Sequence, residues 1–380
     1  MRVALHIDQL WFSAPGGIGT YVRELAPALF DEGPTVHLMP FRSRFPGGGP
    51  LASWLEGLPE VTVVDHPIRT LYPGWTLAGR PALPAELSAA EVVHSTNPAA
   101  IAPVRRGQRL VVTVHDLAYV RHPELFPRSW RMLYRAGLRA AARRADAVVV
   151  PSAFTAGELK AHTDIDPARV HVTPLAASLP KKPATDIDAV LDRLGVPRPY
   201  LLSVGTLEPR KNQARLVRAY RRLAADGRPH ALVLNGPDGW LDEELRRELS
   251  SEGPGRVVRT RDLSAIDLDA LYRGADVFAY PALYEGFGLP VVEALARGVP
   301  TVAGNGSSLP EVAGDAALLV DALDEAAITD ALARVLDDPA FAEDLRRRGV
   351  ERAASFSWRE TARATLRVYR HVMDPPDHVA

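Results

Sequence analysis

Short apolar runs alternate along the chain with longer segments whose apolar positions recur at helical spacing, the pattern of βα units that build a parallel sheet. In the first half the runs are Val3–Ile7, Val36–Met39, Val61–Val64, Val92–His94, Leu110–Val114, Ala147–Val150 and Val170–Val172. Helices are predicted there over Ile18–Phe30, Ser129–Arg143 and Ala153–His162. A second series starts at Tyr200–Val204 and continues through Ala231–Leu234, Val257–Arg259, Val277–Tyr280, Thr301–Ala303 and Ala317–Val320. The polar, proline-rich stretch Leu179–Pro199 lies between the series and reads as a linker region. This predicts an α/β protein of two doubly wound, Rossmann-like parallel-sheet domains facing a central cleft, with ligands held at the carboxyl ends of the strands. The closing segment Phe356–Val372 is amphipathic. No internal repeat is visible beyond the likeness of the two halves.

The length of 380 residues suits two domains rather than one. Hydrophobic residues at 47% and charged residues at 24% are ordinary for a soluble globular protein. A net charge of −1 gives no general attraction to nucleic acid, so any basic site is local. With no cysteine there are no disulfides, thiolate metal sites or cysteine nucleophiles, which fits a reducing compartment. The opening Met-Arg-Val-Ala-Leu-His-Ile-Asp turns polar too soon for a signal peptide. No apolar run approaches the roughly 20 residues of a membrane span. The expected location is the cytoplasm, with at most a peripheral contact at a membrane.

The most informative stretch is residues 280–298. Glu285 and Glu293 are eight positions apart and bracket Gly286-Phe287-Gly288, Leu289 and Pro290. Proline is favoured at the first helical position, so Pro290 is expected to start a helix with Glu293 in its first turn. The amides of Gly286, Phe287, Gly288 and Leu289 then form an anion site ahead of that helix. Phosphate on amides with hydroxyls on two carboxylates describes a nucleotide sugar. A capping carboxylate alone is common, but two around a Gly-Phe-Gly loop are harder to explain that way. In Gly205-Thr206-Leu207-Glu208-Pro209-Arg210-Lys211-Asn212, a strand-to-helix turn offers Arg210 and Lys211 for a diphosphate. His115 and Asp116 follow the run Leu110–Val114 and sit where cleft residues sit, although a satisfied polar pair at a strand end is the plainer reading. Gly16-Gly17-Ile18-Gly19 is neither a P-loop nor a good dinucleotide fingerprint, and on its own reads as a loop before a helix. Arg131, Arg135, Arg139 and Arg143 recur every four residues along one helix face, either a solvated basic face or a contact for anionic lipid headgroups or a phosphorylated acceptor.

Together these motifs resemble the retaining glycosyltransferases of family 4, which have the GT-B fold. The resemblance runs from Met1 to about Val372 and is strongest at Glu285–Glu293, the family's two glutamates with seven residues between them. It is supported by the glycines at 16–19, His115-Asp116, residues 205–212 and Ser-Ser-Leu-Pro-Glu-Val at 307–312. It implies an acceptor-side domain over 1–180, a donor-binding domain over 181–355, and a final helix, 356–372, packing back on the first domain. It further implies that Glu293 holds ribose hydroxyls and Glu285 hydroxyls of the transferred sugar. The amides after Glu285, with Arg210 and Lys211, hold the diphosphate; Gly16 and Gly17 lie against the phosphates; His115, followed by Asp116, contacts the sugar near its 6-position. Many relatives carry Arg where this chain has Thr206, which leaves the cationic role to Arg210 and Lys211.

The wording of the motifs is similar to the mannosyltransferase-like branch, so GDP-mannose is the preferred donor. No cofactor and no metal are expected, since no Asp-x-Asp motif stands in a suitable loop. The reaction expected is a front-face displacement that moves a hexose to a glycan, lipid-linked or natural-product hydroxyl. The loops Leu10–Pro15 and Pro67–Pro84, the latter with Tyr72 and Trp75, are candidate acceptor surfaces. Two rivals remain: a nucleotide-sugar 2-epimerase of the same architecture, and a non-catalytic nucleotide-sugar-binding subunit.

Overall fold

A computed structural model of the chain describes residues 1–12, 14–32, 36–45, 59–240 and 243–374. They form two compact units, one made of Met1–Leu175 and Ser357–Ala380, the other of Ala176–Phe356. The chain leaves the first unit at Leu175 and returns to it at Ser357.

The first unit is built on a parallel sheet of β1 (Arg2–His6), β2 (His37–Arg44), β3 (Thr62–Pro67), β4 (Val92–Ser95), β5 (Arg109–Thr113), β6 (Ala147–Val150) and β7 (Val170–Val172). Its strand order is β3-β2-β1-β4-β5-β6-β7, with the reversal at β1 and β4. The central strands are buried throughout, as expected of near-continuous Val, Ile and Leu runs covered on both faces. The helices are α1 (Gly16–Asp31), α2 (Ile68–Pro73), α3 (Ala118–Arg121), α4 (Arg128–Arg144) and α5 (Ala153–His162).

The second unit repeats the plan with β8 (Tyr200–Val204), β9 (Ala231–Asn235), β10 (Val257–Thr260), β11 (Val277–Tyr280), β12 (Thr301–Gly304) and β13 (Leu318–Val320), in the order β10-β9-β8-β11-β12-β13. Its helices are α6 (Ile187–Arg193), α7 (Gln213–Ala225), α8 (Glu243–Ser250), α9 (Ala265–Arg273), α10 (Leu289–Ala296), α11 (Leu309–Ala313), α12 (Glu325–Asp337) and α13 (Pro339–Ala353). The last helix, α14 (Trp358–Met373), belongs to the first unit and packs on α1, β5 and β6. The Tyr369 hydroxyl lies 2.6 Å from His94 Nδ1, whose Nε2 lies 2.7 Å from Thr113 Oγ1, so α14 is wired to the sheet through a buried imidazole.

The stretch read as a linker, Leu179–Pro199, carries α6. Asp186 caps it by accepting from the Ala189 amide, and Leu191 is fully buried against the second unit, where α6 packs on α9. One well-placed leucine and one capping carboxylate outweigh the polar composition around them. Among the described residues no helix is long and apolar enough to cross a membrane.

Candidate functional site

The turn after β8 is pinned at Asn212, which sits in the left-handed region (φ 59°) and donates from Nδ2 to Pro281 O (3.0 Å) and Ala322 O (2.6 Å). That brings Arg210 and Lys211, 74 positions upstream of Tyr284 and Glu285, against the segment that follows β11. Lys211 Nζ donates to Glu285 Oε1 and to the Tyr280 hydroxyl (2.7 Å). The Tyr280 hydroxyl in turn donates to Glu285 Oε1 (2.8 Å). Arg210 Nη1 lies 3.0 Å from Glu285 Oε2 and donates to Tyr284 O (2.8 Å). Arg210 Nη2 and Nε both donate to Glu208 Oε1, at 2.7 and 3.1 Å. Two cations and two carboxylates therefore close a nearly buried network around one tyrosine. Burial alone would raise the Glu285 carboxyl, but the charges of Arg210 and Lys211 and the hydrogen bonds from Lys211 and Tyr280 bring it down to about 2. The Tyr280 phenol is pushed well up by burial and by the Glu285 charge.

A donor count divides the two cations. The Lys211 ammonium has three N–H groups and uses two on Glu285 and Tyr280. Arg210 spends its guanidinium on Glu208, Tyr284 O and Glu285. Sequence alone treats them as equals; the geometry makes Arg210, with four of its five N–H groups spread over three partners, a clamp, and leaves Lys211 one donor of three to spare. Glu285 is divided likewise. Oε1 accepts two hydrogen bonds and is filled, whereas Oε2, among the described residues, faces only Arg210 and keeps acceptor capacity for one hydroxyl. The backbone of Glu285 is fixed too: its amide donates to Ser307 Oγ (2.9 Å) and its carbonyl accepts from Ser308 Oγ (2.9 Å).

The helix after the glycine loop starts one residue earlier than the proline rule predicts. Leu289 is its first residue and Pro290 its second, behind Gly288 in the left-handed region (φ 103°). A side chain at 288 would be strained there and would put a Cβ 2.6 Å from Leu309 Cδ2. Glu293 consequently falls just beyond the first turn rather than in it. It is buried, accepts from the Tyr272 hydroxyl (3.1 Å) and lies on the helix whose Glu293 carbonyl accepts from Arg297 Nη1 (3.0 Å). Arg297 stacks over the Tyr272 ring and pairs with buried Asp269 at 2.8 Å. Each glutamate thus has its own buried tyrosine. Among the described residues the amides of Phe287, Gly288 and Leu289 have no protein acceptor, the state expected of an anion-binding helix end.

In the first unit Gly16 and Gly17 are exposed and belong to the first turn of α1 itself, so the expected loop before the helix is helix already. Gly19 is required by packing, because a Cβ there would stand 2.3 Å from Pro15 Cβ. Tyr21 on the same helix meets the His115 ring edge-on at 4.9 Å. His115 Nε2 lies 2.9 Å from Thr96 O; a carbonyl only accepts, so Nε2 carries the hydrogen and Nδ1 is left as an acceptor. Burial lowers the imidazole to about 4, which keeps it neutral at physiological pH. Asp116 accepts from the Ala118 amide (3.0 Å), just ahead of α3.

Several participants escaped the sequence reading. Glu208 stood inside a quoted motif without a role, Tyr280 only ended an apolar run, and Tyr272 and Asp8 were not singled out. Asp8 is fully buried, takes the Ser43 amide (2.5 Å) and hydroxyl (2.7 Å), and lies 3.2 Å from His6 Nε2. Burial pushes its carboxyl up, but His6 and Ser43 carry it below the usual range. Tyr72 and Trp75 are no exposed acceptor platform: both are buried, edge-on to His6 at 5.8 and 5.7 Å. A π-turn over Gly74–Ala78 turns Trp75 inward, where its indole donates to Pro81 O (2.9 Å). The aromatics nearer the surface are Trp11 and Phe12 from the loop Leu10–Pro15, whose residue 13 lies outside the described residues; both pack on Phe45.

Comparison with known proteins identifies the family and the fold. Residues 15–179 match the family Glycosyltransferase Family 4, and residues 192–353 match Glycosyl transferases group 1. O-antigen chain mannosyltransferase B of Escherichia coli is 35% identical over 272 residues, covering 70% of this chain and 71% of that protein. Sucrose-phosphate synthase from Thermosynechococcus elongatus superposes with a TM-score of 0.75 at 22% identity, over 98% of this chain and 99% of that one. Anabaena HepE in complex with UDP-glucose gives 0.73 at 18% identity, with 98% and 99% covered. Two matched domains, a relative of this closeness and the shared architecture make the chain a family 4 glycosyltransferase of the GT-B fold, on the mannosyltransferase-like branch.

Proposed function

We propose that the chain moves a hexose, mannose by preference, from a nucleoside-diphosphate sugar to a hydroxyl of a glycan, a lipid-linked sugar or a small natural product. The configuration at the anomeric carbon is retained, and protein cations rather than a divalent metal serve the leaving group. GDP-mannose is the preferred donor, on the similarity to a mannosyltransferase. The observation that carries the reading is Lys211, held by Glu285 and Tyr280 with one donor to spare, in the same unit as the amide-bearing end of α10.

The chemistry follows from that arrangement. As the bond from the anomeric carbon to the diphosphate breaks, negative charge grows on the leaving oxygens, where Lys211 and the amides of 287–289 stabilise it. The acceptor oxygen forms its bond to the same carbon from the same face, and its proton passes to a diphosphate oxygen. Glu285 Oε2 accepts from a hydroxyl of the transferred sugar. Glu293, set by Tyr272, takes the ribose hydroxyls. The second unit is the donor unit on this reading and the first the acceptor unit.

The test is a nucleotide panel. A true diphosphate ligand at 100 times its dissociation constant stabilises the protein by about 2.7 kcal/mol. GDP is expected to shift the melting temperature more than UDP or ADP. Glu293→Ala is expected to weaken GDP about tenfold or more, a loss of roughly 1.4 kcal/mol, while slowing turnover of bound donor far less. Indifference to every nucleotide overturns the donor class, and an unchanged GDP affinity in Glu293→Ala removes that residue from the ribose.

The reading extends to a peripheral contact with anionic membrane. Helix α4 carries six arginines and no acidic residue. Arg131 and Arg144 turn back to backbone carbonyls of Pro123, Trp75, Ile101 and Ala102. Arg135, Arg139 and Arg143 stay exposed and, among the described residues, have no ion-pair partner. The expected stripe of four is therefore three, about 12 Å long at 1.5 Å per residue, with exposed Trp130 and Met132 beside its start. Each arginine contributes on the order of 1 kcal/mol near an anionic bilayer, and salt screens it. Cosedimentation should show wild type on anionic but not neutral vesicles at low salt, and much less of the triple Arg→Gln variant. Equal binding by both proteins, or none by wild type, makes the stripe a solvated face.

A further inference from the structure

The edge strand β7 and helix α14 form between them, inside the first unit, a solvent-open depression of about 390 Å3. Its polar wall consists of His171 and Thr173 from one side and Arg367 and His371 from the other. Two of these groups are anomalous. Thr173 is 1% exposed, and among the described residues its hydroxyl has no hydrogen-bond partner. His171 Nε2 is sealed from solvent and also lacks one among those residues. Buried polar atoms are normally satisfied, and two orphans on residues that line one hollow point to a missing ligand. Opposite them, Arg367 and His371 are four residues apart and so share one face of α14. The His371 ring stands edge-on to that of His171, with centroids 5.3 Å apart. Burial and the neighbouring His371 both hold His171 below its usual range, so the protonated form waits for a compensating negative charge.

The chemistry of the wall selects the ligand. A guanidinium, two imidazoles and a hydroxyl are all able to donate, and among the described residues no carboxylate lines the hollow, which suits an anion and not a metal cation. Its volume falls in the range of small-molecule sites, so a bare phosphate would leave most of it empty. We propose that this hollow binds a phosphate-bearing small molecule, at a site separate from the network around Glu285. Its position gives the site a second property. Thr173 stands two residues before the chain leaves the first unit, and α14 begins one residue after the chain returns. Thr361 already ties these segments by donating to Pro174 O (2.6 Å). A phosphate held by Thr173 and Arg367 would cross-link the same two segments.

The experiment follows the imidazole resonances of His171 and His371 by NMR during titration with inorganic phosphate, a hexose 6-phosphate and the unphosphorylated hexose. The expected result is a saturable shift of both rings with the two phosphates. The hexose phosphate should bind about tenfold tighter, because it fills the hollow, and the plain hexose should do nothing. Arg367→Gln and Thr173→Val should each weaken the hexose phosphate about tenfold or more. Since Arg367 is exposed, its variant keeps the test alive if Thr173→Val fails to fold. Rings that do not respond to either phosphate at about 50 mM, far above an ordinary metabolite Kd, overturn the proposal. So does an affinity unchanged in Arg367→Gln, or a plain hexose binding as tightly as its phosphate. Inorganic phosphate binding as tightly as the hexose phosphate overturns the small-molecule assignment and leaves a simple anion site.

Discussion

Replacing Lys211 with alanine should lower donor turnover about 100-fold or more, the scale of losing one preorganised donor to a developing charge. Turnover here means transfer to an acceptor or, without one, hydrolysis of the donor. The size of the effect follows from the donor count. Lys211 is the cation with an N–H to spare, and it is held by Tyr280 and Glu285 so that no reorganisation is needed as charge develops. Arg210→Ala is expected to behave differently. Its guanidinium joins Glu208, Tyr284 O and Glu285, so its removal strands the 2% exposed Glu208 carboxylate and should appear mainly as lost stability. Steady-state turnover beside denaturant unfolding separates the two. A Lys211→Ala enzyme with near-normal turnover would remove Lys211 from the leaving group.

The second large effect concerns Glu285. Glu285→Gln leaves two nearly buried cations facing an amide, and breaking a buried pair by removing one charge typically costs 3–5 kcal/mol. The cost should depend on pH in a defined way. The folded carboxyl sits at about 2 against an ordinary 4.5, so it is depressed by folding. A depressed acid contributes stability that is fully present above its unfolded pKa and is lost as pH falls through the folded one. Wild type should therefore lose on the order of 3 kcal/mol from this group between pH 5 and pH 2. Glu285→Gln lacks the titrating group and should lose none of it. The gap between the proteins is expected to be widest near neutral pH and to close in acid. A gap that stays constant from pH 7 to pH 2 would mean that the carboxylate charge is not what the network requires.

The sheets were legible because their signal is local. Each of the thirteen apolar runs became a strand, and Pro290 marked its helix to within one residue. What stayed hidden depends on contacts that periodicity does not encode. Glu285 and Lys211 are 74 positions apart, and nothing in either motif says that the supposed phosphate cations meet the supposed sugar carboxylate. Tyr280 ends an apolar strand and looks like core; only its hydroxyl, which receives Lys211 and donates to Glu285, reveals its second task. The error over Tyr72 and Trp75 has the same root, since an aromatic in a proline-rich loop reads as exposed until the turn that directs it is known. Arg131 shows the limit of spacing arguments: four-residue periodicity puts it on the stripe, and a carbonyl at Pro123 takes it off.

The return of α14 to the first unit sets an order of events during synthesis. Residues up to Leu175 leave the ribosome with β5, β6 and α1 already made but with the surface that α14 covers still bare. His94, at the centre of that sheet, lacks its Tyr369 partner for the same interval. The gap lasts for the 181 residues of the second unit, Ala176–Phe356, about 10 to 40 s at ordinary translation rates. The second unit is continuous and has every strand it needs, so it can finish first. The segment made earliest is thus the last to become native, and chaperone dependence should concentrate on the amino-terminal unit of the nascent chain.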